Sequence, residues 1–491
     1  MRPGAVPASR THAGPARAHW ARLLTGPPHP RTLVVVGAIA ADYVVVGAGA
    51  MGMAFTDALV DNADVHVALV DRRHAPGGHR LEAYPFVRLH QASAFYGVPS
   101  TRLGAGRLQE LGPERGLHER ATAPEICAYY GRVLTEKLLP SGQVDFYPAC
   151  EWLGQGRFVS RVSGEEYDVG DARVVDGHYL APSIPAETPP PFTVDGARVI
   201  PVNDLVDVEQ APSQYVVVGS GKTATDACVW LLGNGVDPDA ISWVRPREPW
   251  MLNRAVVQPN PAIFLGMAAD IMEVAAAADS IDELFLGLEA RGVLLRIDPT
   301  VVPTMAKTPT LAQWELDQLR RIEHVVRLGH VHAVERGRMV LTDGTVPIAT
   351  DALVVHCAAS GLKYPPLVPI WTPQAITLQP IRTGFPCFGA ALAGFVEATV
   401  ESDEEKNRLC RPTPYSDTPL DWLEMQVIGG RSSAAFSKDP AIKAWAERTS
   451  LNPTHAPADF TDDVALAAVR DRLRTSMAPG RARMAELAGM A

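Results

Sequence analysis

The sequence predicts an α/β fold that contains two separate βαβ units. Two short runs of β-branched residues, at 43–46 and 215–218, have the composition of buried parallel strands. Each run is followed at once by a glycine-rich turn and then by a stretch with helical spacing. The runs begin 172 residues apart, which indicates a duplicated architecture and not a short-period repeat.

The length and composition are those of a globular protein with more than one hydrophobic core. The chain has 491 residues, of which 47% are hydrophobic and 20% are charged, and a chain this long usually forms two or three domains. Its formal net charge of −10 predicts neither a nucleic-acid partner nor an anionic membrane partner. No apolar run reaches the roughly 18 residues that a membrane-spanning helix needs.

The cysteines are scattered, without the spacing of a metal site or of a redox-active pair. A disulfide framework is not expected in a chain of this size, so we expect reduced thiols in a cytoplasmic protein, and no bound metal. The six are Cys127, Cys150, Cys228, Cys357, Cys387 and Cys410.

The N-terminal segment 1–41 is predicted to be a disordered extension. Its first part, 1–31, is rich in arginine and proline and contains no acidic residue, a composition that cannot form a packed core. The apolar run 33–40 ends in an A-x-A sequence, so the segment also has the outline of a secretory signal. A core strand begins almost at once at Tyr43, and this favours the extension over the signal.

The first glycine-rich turn has the full G-x-G-x-x-G pattern between a predicted strand and a predicted helix. Gly47 would form the tight turn, Gly49 would let the backbone approach a pyrophosphate, and Gly52 would let the helix pack close to the sheet. The N-terminus of that helix offers unpaired N–H groups to phosphates. Asp71 follows the next strand, about 20 residues later, where a carboxylate binds ribose hydroxyls. This order predicts a Rossmann-like dinucleotide site rather than a glycine-rich turn without a ligand.

The second turn, 219–224, carries the same pattern with alanine in the third position. Its Gly-Lys-Thr sequence is similar to the end of an NTP-binding P-loop, but such a loop needs a glycine where Val216 stands inside the strand. The turn therefore predicts a second dinucleotide site. The residues expected to contact this nucleotide are Gly219, Gly221, Thr223 and Ala224.

The charge at the ribose position differs between the two units. Arg245 and Arg247 follow the second strand of the second unit, where the first unit has Asp71. A carboxylate rejects a ribose 2′-phosphate, whereas an arginine binds one. The difference favours FAD in the first unit and NADPH in the second, and the alternative is that the two arginines form a solvated surface pair.

These motifs resemble those of flavoproteins with two dinucleotide-binding domains, and within them the class B flavin-dependent monooxygenases most closely. The resemblance covers most of residues 42–395. It includes the stretch 84–93, similar to the segment beside the flavin ring, and the stretch 351–361, where an acid, an apolar strand and a small-residue turn return the family's chain to its FAD domain. The cofactor-binding residues that the resemblance adds are Gly78, His79, Gly361 and Gly389.

The resemblance implies an FAD-binding domain that is interrupted by an inserted NAD(P)H-binding domain. The FAD domain would comprise residues 42–190 and 351–491, the inserted domain residues 191–350, and the proline-dense stretch 182–191 a linker. NADPH would then deliver a hydride to FAD. The reduced flavin would take up O₂ as a peroxide adduct, which transfers one oxygen atom to a small organic substrate.

Polar residues beside the flavin ring are the catalytic candidates. Arg88, His90 and Gln91 could steady a peroxide or a bound nicotinamide; the alternative is that Arg88 forms a surface ion pair and His90 is a loop histidine with satisfied hydrogen bonds. Arg80 replaces the tryptophan common in the family, and the aromatic-glycine-histidine signature before the second turn is missing. Two other functions stay open: a flavoprotein reductase or dehydrogenase without oxygen transfer, and a dinucleotide-binding protein without catalysis. The chain could also form a homo-oligomer.

Overall fold

The computed structural model describes residues 35–359, 361, 363–456, 460–461 and 463–491. Within these ranges, no helix has both the length and the apolar character that crossing a membrane requires. Part of the expected N-terminal extension is ordered: residues 35–38 form a strand that pairs in parallel with residues 166–168. The expectation of disorder is wrong for this part, because the backbone of the apolar run completes a sheet edge. Residues 1–34 lie outside the described residues.

Strands and short helices alternate in the first third of the chain, in line with the predicted βαβ unit. Helix α2 continues into a π-helical turn at Val133–Leu138. The elements are β1 (Val35–Ala38), β2 (Tyr43–Val46), α1 (Ala50–Val60), β3 (Val67–Val70), β4 (Gly97–Val98), β5 (Thr101–Arg102), α2 (Ala123–Arg132), β6 (Val144–Tyr147), β7 (Cys150–Gly154), β8 (Arg157–Ser160), β9 (Glu166–Asp168) and β10 (Arg173–Asp176).

The middle of the chain contains the second βαβ unit and a pair of helices. The second helix of the pair begins directly after Ser280, whose hydroxyl accepts a hydrogen bond from the Glu283 backbone N–H. The elements are β11 (Thr193–Asp195), β12 (Arg198–Pro201), β13 (Tyr215–Val218), α3 (Lys222–Gly233), β14 (Ile241–Val244), β15 (Trp250–Asn253), α4 (Pro261–Ala277), α5 (Ile281–Ala290), β16 (Leu294–Arg296), β17 (Thr310–Leu311), α6 (Gln313–Leu319), β18 (Val325–Val326), β19 (Val331–Glu335), β20 (Arg338–Leu341), β21 (Gly344–Pro347) and β22 (Leu353–His356).

The last part of the chain is largely helical. The C-terminal helix packs along α4, and Arg472 on it forms ion pairs with Asp270 and Glu273. The side of this helix that meets α4 is therefore not a solvated face. The elements are β23 (Ala375–Thr377), α7 (Pro386–Thr399), α8 (Asp403–Leu409), α9 (Pro419–Phe436), α10 (Pro440–Ala446) and α11 (Asp463–Leu487).

Two five-stranded sheets, all of whose strands are parallel, form the frame of the molecule. The first sheet has the order β23-β10-β2-β3-β6, and the second has the order β12-β22-β13-β14-β18. The predicted strands β2 and β13 lie inside these sheets, and their Val44–Val46 and Val216–Val218 runs are buried. The α/β class and the two βαβ units are confirmed. Because parallel strands end at the same edge, each glycine turn lies at the carboxyl edge of its sheet.

One strand lies in a different sheet from the one expected. The segment 351–361 was expected to return the chain to the first sheet, but β22 pairs with β12 on one side and β13 on the other, inside the second sheet. The apolar run gains hydrogen bonds on both edges there and becomes fully buried. The chain returns to the first sheet only at β23, which pairs with β10.

The chain crosses between the two sheets twice, and the two crossing segments meet. It leaves the first sheet after Asp176 and comes back to it at Ala375. Ser183 and Gly361, one from each crossing, exchange backbone hydrogen bonds of 3.0 and 3.2 Å. The first crossing includes the predicted proline-dense linker, which contains no helix or strand.

Candidate functional site

A single large cleft is lined by both glycine turns. Its volume is about 1830 Å³, which exceeds the roughly 300–1,000 Å³ of a pocket for one small molecule. Gly47 and Gly49 line it from the first turn, and Gly219 and Gly221 line it from the second. The structure thus brings together two motifs that are far apart in sequence, in a space large enough for more than one ligand.

Three helices begin at this cleft without a capping side chain. Helices α1, α3 and α7 follow Gly49, Gly221 and Phe385, and among the described residues no side chain accepts a hydrogen bond from their first turns. At the start of every other helix from α2 to α10, a side-chain oxygen accepts a hydrogen bond from a backbone N–H. Uncapped N–H groups and the positive end of the helix dipole favour an anion. The starts of α1 and α3 therefore fit the phosphates of a dinucleotide.

The cradle at the first turn is built from backbone alone. A Cβ atom on Gly78 would lie 3.0 Å from the Cα of Gly49, and the Gly77 N–H donates to the Ala48 carbonyl at 2.9 Å. A Cβ on Gly52 would overlap the Gly47 carbonyl oxygen, so this third glycine serves helix packing, as the motif requires. Gly49 and Gly78 both face the cleft. A ligand can approach the backbone here, which is the fit that a pyrophosphate needs.

Asp71 lies beneath this cradle. Its two carboxylate oxygens accept from the backbone N–H groups of Ala48 and Arg73 at 2.6 and 2.7 Å. Because these bonds fix the carboxylate and each oxygen has a second lone pair, the group can still accept from a ribose hydroxyl. Asp71 lines the cleft although only 1% of its surface is exposed.

Two histidines flank the first turn. His79 lines the cleft next to the cradle, and burial lowers its pKa to about 3, with Arg80 and Arg73 adding to the effect. Its imidazole is therefore neutral at physiological pH. The His178 ring packs against the other side of the turn, so closely that a Cβ atom on Gly47 would lie 2.8 Å from it. The sequence analysis missed His178, which follows a strand whose pairing in the sheet carries no local signal.

The second turn is arranged in a similar way. Gly219 has a φ of +136° and packs against the backbone of Cys357, and Thr223 lines the cleft. The Ser220 hydroxyl is buried at the cleft without a hydrogen-bond partner in the described structure, which leaves a polar atom for a ligand. Ala224 is buried in the core and does not line the cleft, so its place in the motif is one of packing.

The two arginines expected at the ribose position have different environments. Arg245 does not line the cleft: its guanidinium is 2% exposed, lies 4.6 Å from the centroid of the Trp243 ring and is 3.3 Å from Glu248. Arg247 does line the cleft and pairs with Asp417 at 2.7 Å. The Arg245 side chain is held in the core against Trp243. Direct contact with a 2′-phosphate is open to Arg247 alone of the two.

The three catalytic candidates do not stay together. Arg88 is exposed outside the cleft and donates to the Arg120 carbonyl, since Val87 and Leu89 on either side of it face inward. His90 and Gln91 line the cleft, and the Gln91 amide donates to the Gly384 carbonyl at 3.3 Å. Contact between Arg88 and a bound flavin is therefore not supported.

His90 lies next to a buried group of charges. The Arg254 guanidinium, fully buried, donates to the His90 carbonyl at 3.0 Å and pairs with Glu114 and Glu315. Burial, followed by Lys222 and Arg80, lowers the pKa of His90 well below its usual value, so the ring is neutral. Although burial alone would raise the pKa of Glu315, Lys222 and Arg254 lower it to about 2.

Lys222 and Arg80 are cleft residues that the sequence analysis did not select as site residues. The Lys222 ammonium pairs with Asp226 at 2.6 Å and with Glu315 at 3.2 Å. The Arg80 guanidinium lies 5.7 Å from the centroid of the Tyr96 ring, and its Nε has no partner among the described residues. The replacement of tryptophan by Arg80 was a visible signal, whereas Lys222 had been considered only within the P-loop comparison.

The two glycines expected near the C-terminal side also differ. Gly361 lines the cleft at the paired crossing segments. Gly389 does not, because it lies inside α7, where a Cβ would be 2.9 Å from the Ile381 backbone nitrogen. Gly389 therefore serves the packing of α7, and Gly384 is the glycine of that segment that reaches the cleft.

The chain is similar to proteins from mycobacteria. It is 42% identical over 444 residues to the uncharacterized protein Rv2000 of Mycobacterium tuberculosis, and equally to the uncharacterized protein Mb2023 of Mycobacterium bovis. The match covers 89% of this chain and 81% of each relative. The chain belongs to their family. No model of a described protein family matches the sequence.

Several solved structures are similar to this chain at low identity, with TM-scores below 0.5. A polycyclic ketone monooxygenase from the fungus Thermothelomyces thermophila is 12% identical with a TM-score of 0.47, and the match covers 94% of this chain and 92% of that one. A steroid monooxygenase bound to NADP is 14% identical with a TM-score of 0.45, covering 90% and 99%. A flavin monooxygenase from Stenotrophomonas maltophilia is 14% identical with a TM-score of 0.43, covering 76% and 99%.

Proposed function

We propose that this protein is an FAD- and NADPH-dependent monooxygenase of a small organic substrate. One observation carries the proposal: the two glycine turns, each with an uncapped helix behind it, open into the same cleft. Two dinucleotides bound at these turns would share one enclosed space, which hydride transfer between them requires. The size of the cleft supports room for a substrate as well.

The proposed ligand-binding parts follow the two sheets. Residues 42–190 and 357–491 would bind FAD, and residues 191–356 would bind NADPH, with the second boundary moved from 350 because β22 belongs to the second sheet. The FAD-binding residues would be Gly47, Gly49, Asp71, Gly78, His79 and Gly361, and the NADPH-binding residues would be Gly219, Gly221, Thr223 and Arg247.

Charged and polar side chains of the cleft wall would stabilise charge on the bound ligands. With NADPH, bound FAD supplies the hydride acceptor and the means to activate O₂. Arg80 provides positive charge in a partly dry environment, where electrostatic interactions are strong, whereas the charge of Lys222 is balanced by Asp226 and Glu315. The neutral His90 ring can donate one hydrogen bond and accept another without adding charge, and the bond to Gly384 orients the Gln91 amide. Phe95 and Val257 exclude water from the wall.

The test is a reduction experiment on the full chain supplied with excess FAD. We expect a yellow protein whose flavin is bleached by NADPH without oxygen, and at least tenfold less efficiently by NADH. On addition of O₂ and a substrate panel, we expect one oxygen atom from ¹⁸O₂ in a product. A protein that retains no flavin contradicts the proposal, and NADPH oxidation that yields only hydrogen peroxide with every substrate would make it a reductase.

A further inference from the structure

Arg382 occupies an unusual position in the cleft. It lies between β23 and α7, and its guanidinium carbon is 5.9 Å from the ring centroid of Phe264 and 5.6 Å from that of Phe388. One of its terminal nitrogens donates to the Asn452 side-chain oxygen at 2.8 Å. These contacts from three parts of the chain fix the direction of the group, which lines the cleft.

The guanidinium has no carboxylate partner among the residues that the structure describes. Some of the other arginines of the cleft do have one: Arg73 pairs with Glu82, and Arg247 pairs with Asp417. A guanidinium has five N–H donors, and the hydrogen bond to Asn452 uses one of them. Donors of Arg382 are therefore left for a ligand.

Because Arg382 is buried, leaving its remaining N–H donors without partners is energetically unfavourable. Burial lowers the pKa of Arg382 to about 10, so the group is still a cation at neutral pH. A cation removed from water is stabilised by an anion and by hydrogen bonds to all of its donors, and an amide oxygen supplies only part of that. A carboxylate matches the planar fork of a guanidinium with two parallel hydrogen bonds.

The wall that α4, α9 and α11 form is largely apolar, although Arg431 and Arg481 also line it, and among the described residues these helices bring no acidic side chain to the cleft. All four acidic residues of the cleft, Asp71, Glu82, Glu151 and Glu187, come from the part of the chain before residue 190. The helices α4, α9 and α11 contribute a methionine-rich and aromatic surface that continues from Phe264. Its members are Phe264, Met267, Ile271, Trp422, Met425 and Met484.

We propose that this end of the cleft binds an amphipathic carboxylic acid, with its carboxylate on Arg382 and its apolar body against α4, α9 and α11. The inference deepens the proposed function and rests on it, because it names the class of substrate that the monooxygenase would take. Long unbranched and flexible bodies suit a methionine-rich wall, since methionine side chains adapt to irregular shapes.

Calorimetric titration of the FAD-supplied protein with decanoate and with 1-decanol tests this site. The two probes share an apolar chain and differ in charge. We expect decanoate to bind at least tenfold more tightly than decanol, about the effect of one charge-assisted hydrogen bond. In Arg382→Gln the two affinities should become equal, with decanol binding unchanged, and Arg382→Lys should restore part of the preference.

Two controls keep the result interpretable. Decanol binding by Arg382→Gln shows that the apolar wall is folded, and Arg408→Gln, an exposed arginine on α8, should keep the preference for decanoate. Equal binding of both probes by the unaltered protein, or a preference that survives Arg382→Gln, overturns the inference. If the flavin is not reduced by NADPH but decanoate binding depends on Arg382, the carboxylate site stands and the proposed function fails.

Discussion

The Lys222 ammonium lies 3.2 Å from a carboxylate oxygen of Glu315, and the second oxygen of that carboxylate lies 2.5 Å from the Arg254 guanidinium. One buried carboxylate therefore pairs with two cations, one at the second glycine turn and one bonded to the carbonyl of His90, and each cation has a second carboxylate partner, Asp226 or Glu114. Through these two ion pairs, Glu315 links the second glycine turn to the segment around His90.

Replacement of Glu315 by glutamine should destabilise the fold. Arg254 and Lys222 would lose their shared buried anion, and breaking a buried pair lowers the free energy of unfolding by about 3–5 kcal/mol. Urea denaturation followed by circular dichroism measures the change. Glu335→Gln, which removes a surface pair with Arg338, should change the free energy by less than about 1 kcal/mol. Equal effects of the two substitutions would refute this account of the buried group.

Two substitutions at the first glycine turn should separate an effect on FAD binding from an effect on folding. Gly49→Ala places a Cβ 3.5 Å from Gly78, an ordinary contact, but fills the cradle. We expect a folded protein that binds FAD at least tenfold more weakly, measured by flavin fluorescence titration. Gly52→Ala collides with the Gly47 carbonyl and should lower the melting temperature even without FAD. A Gly49→Ala protein with unchanged FAD affinity would argue against a pyrophosphate at this turn.

Two glycines at the ends of α3 allow a similar comparison of alanine substitutions. A Cβ on Gly221 or on Gly233 meets no atom within 4 Å, so both alanine substitutions should fold. Only Gly221 lines the cleft. Gly221→Ala should therefore raise the KM for NADPH roughly tenfold or more in anaerobic flavin reduction, whereas Gly233→Ala should leave it unchanged. The same KM in both variants would exclude the second turn as the nicotinamide nucleotide site.

The nucleotide preference should depend on Arg247 and not directly on Arg245. Arg247→Gln should weaken reduction by NADPH about tenfold and leave reduction by NADH nearly unchanged, because only NADPH has the 2′-phosphate. Arg245→Gln removes a buried group that stacks on Trp243, and we expect lower thermal stability instead. Steady-state reduction with both nucleotides and thermal melting of both variants distinguish the roles. Loss of the NADPH preference in Arg245→Gln alone would reverse the assignment.

His79 should make stability depend on pH. Its pKa is about 3 in the folded chain and near 6.5 when unfolded, so the unfolded state binds a proton first as the pH falls. Its contribution to stability is complete above pH 6.5 and is lost progressively as the pH falls towards 3. His79→Gln should flatten the decline in unfolding free energy over this range, measured by urea titrations, whereas substitution of the exposed His74 should not. An unchanged slope in His79→Gln would rule out this contribution.

Local patterns predicted the parts of the fold that depend on neighbouring residues. The turns at Gly47 and Gly219 were predictable because strand, glycine spacing and helix follow one another in the chain. The position of β22 was not, because an apolar strand carries no mark of the sheet that it joins. The exposure of Arg88 was readable from the buried Val87 and Leu89 on either side of it.

Side chains whose partners are distant in sequence gave no local signal. Arg382 was missed because Phe264 and Asn452 define its environment, and both are about 70 residues or more away. Arg245 was assigned to a phosphate from its position after a strand, whereas its orientation depends on Trp243 and on packing of the second sheet.

The hydrogen-bonded pair Ser183 and Gly361 has a mechanical consequence. Between the described strands of the two sheets the chain passes twice, and these residues tie both passages together at one place on the cleft wall. A rotation of one sheet relative to the other would therefore act on this hydrogen-bonded contact. A change of angle there would widen or narrow the space between the two glycine turns, so the connection that joins the halves also sets how far apart their ligands stand.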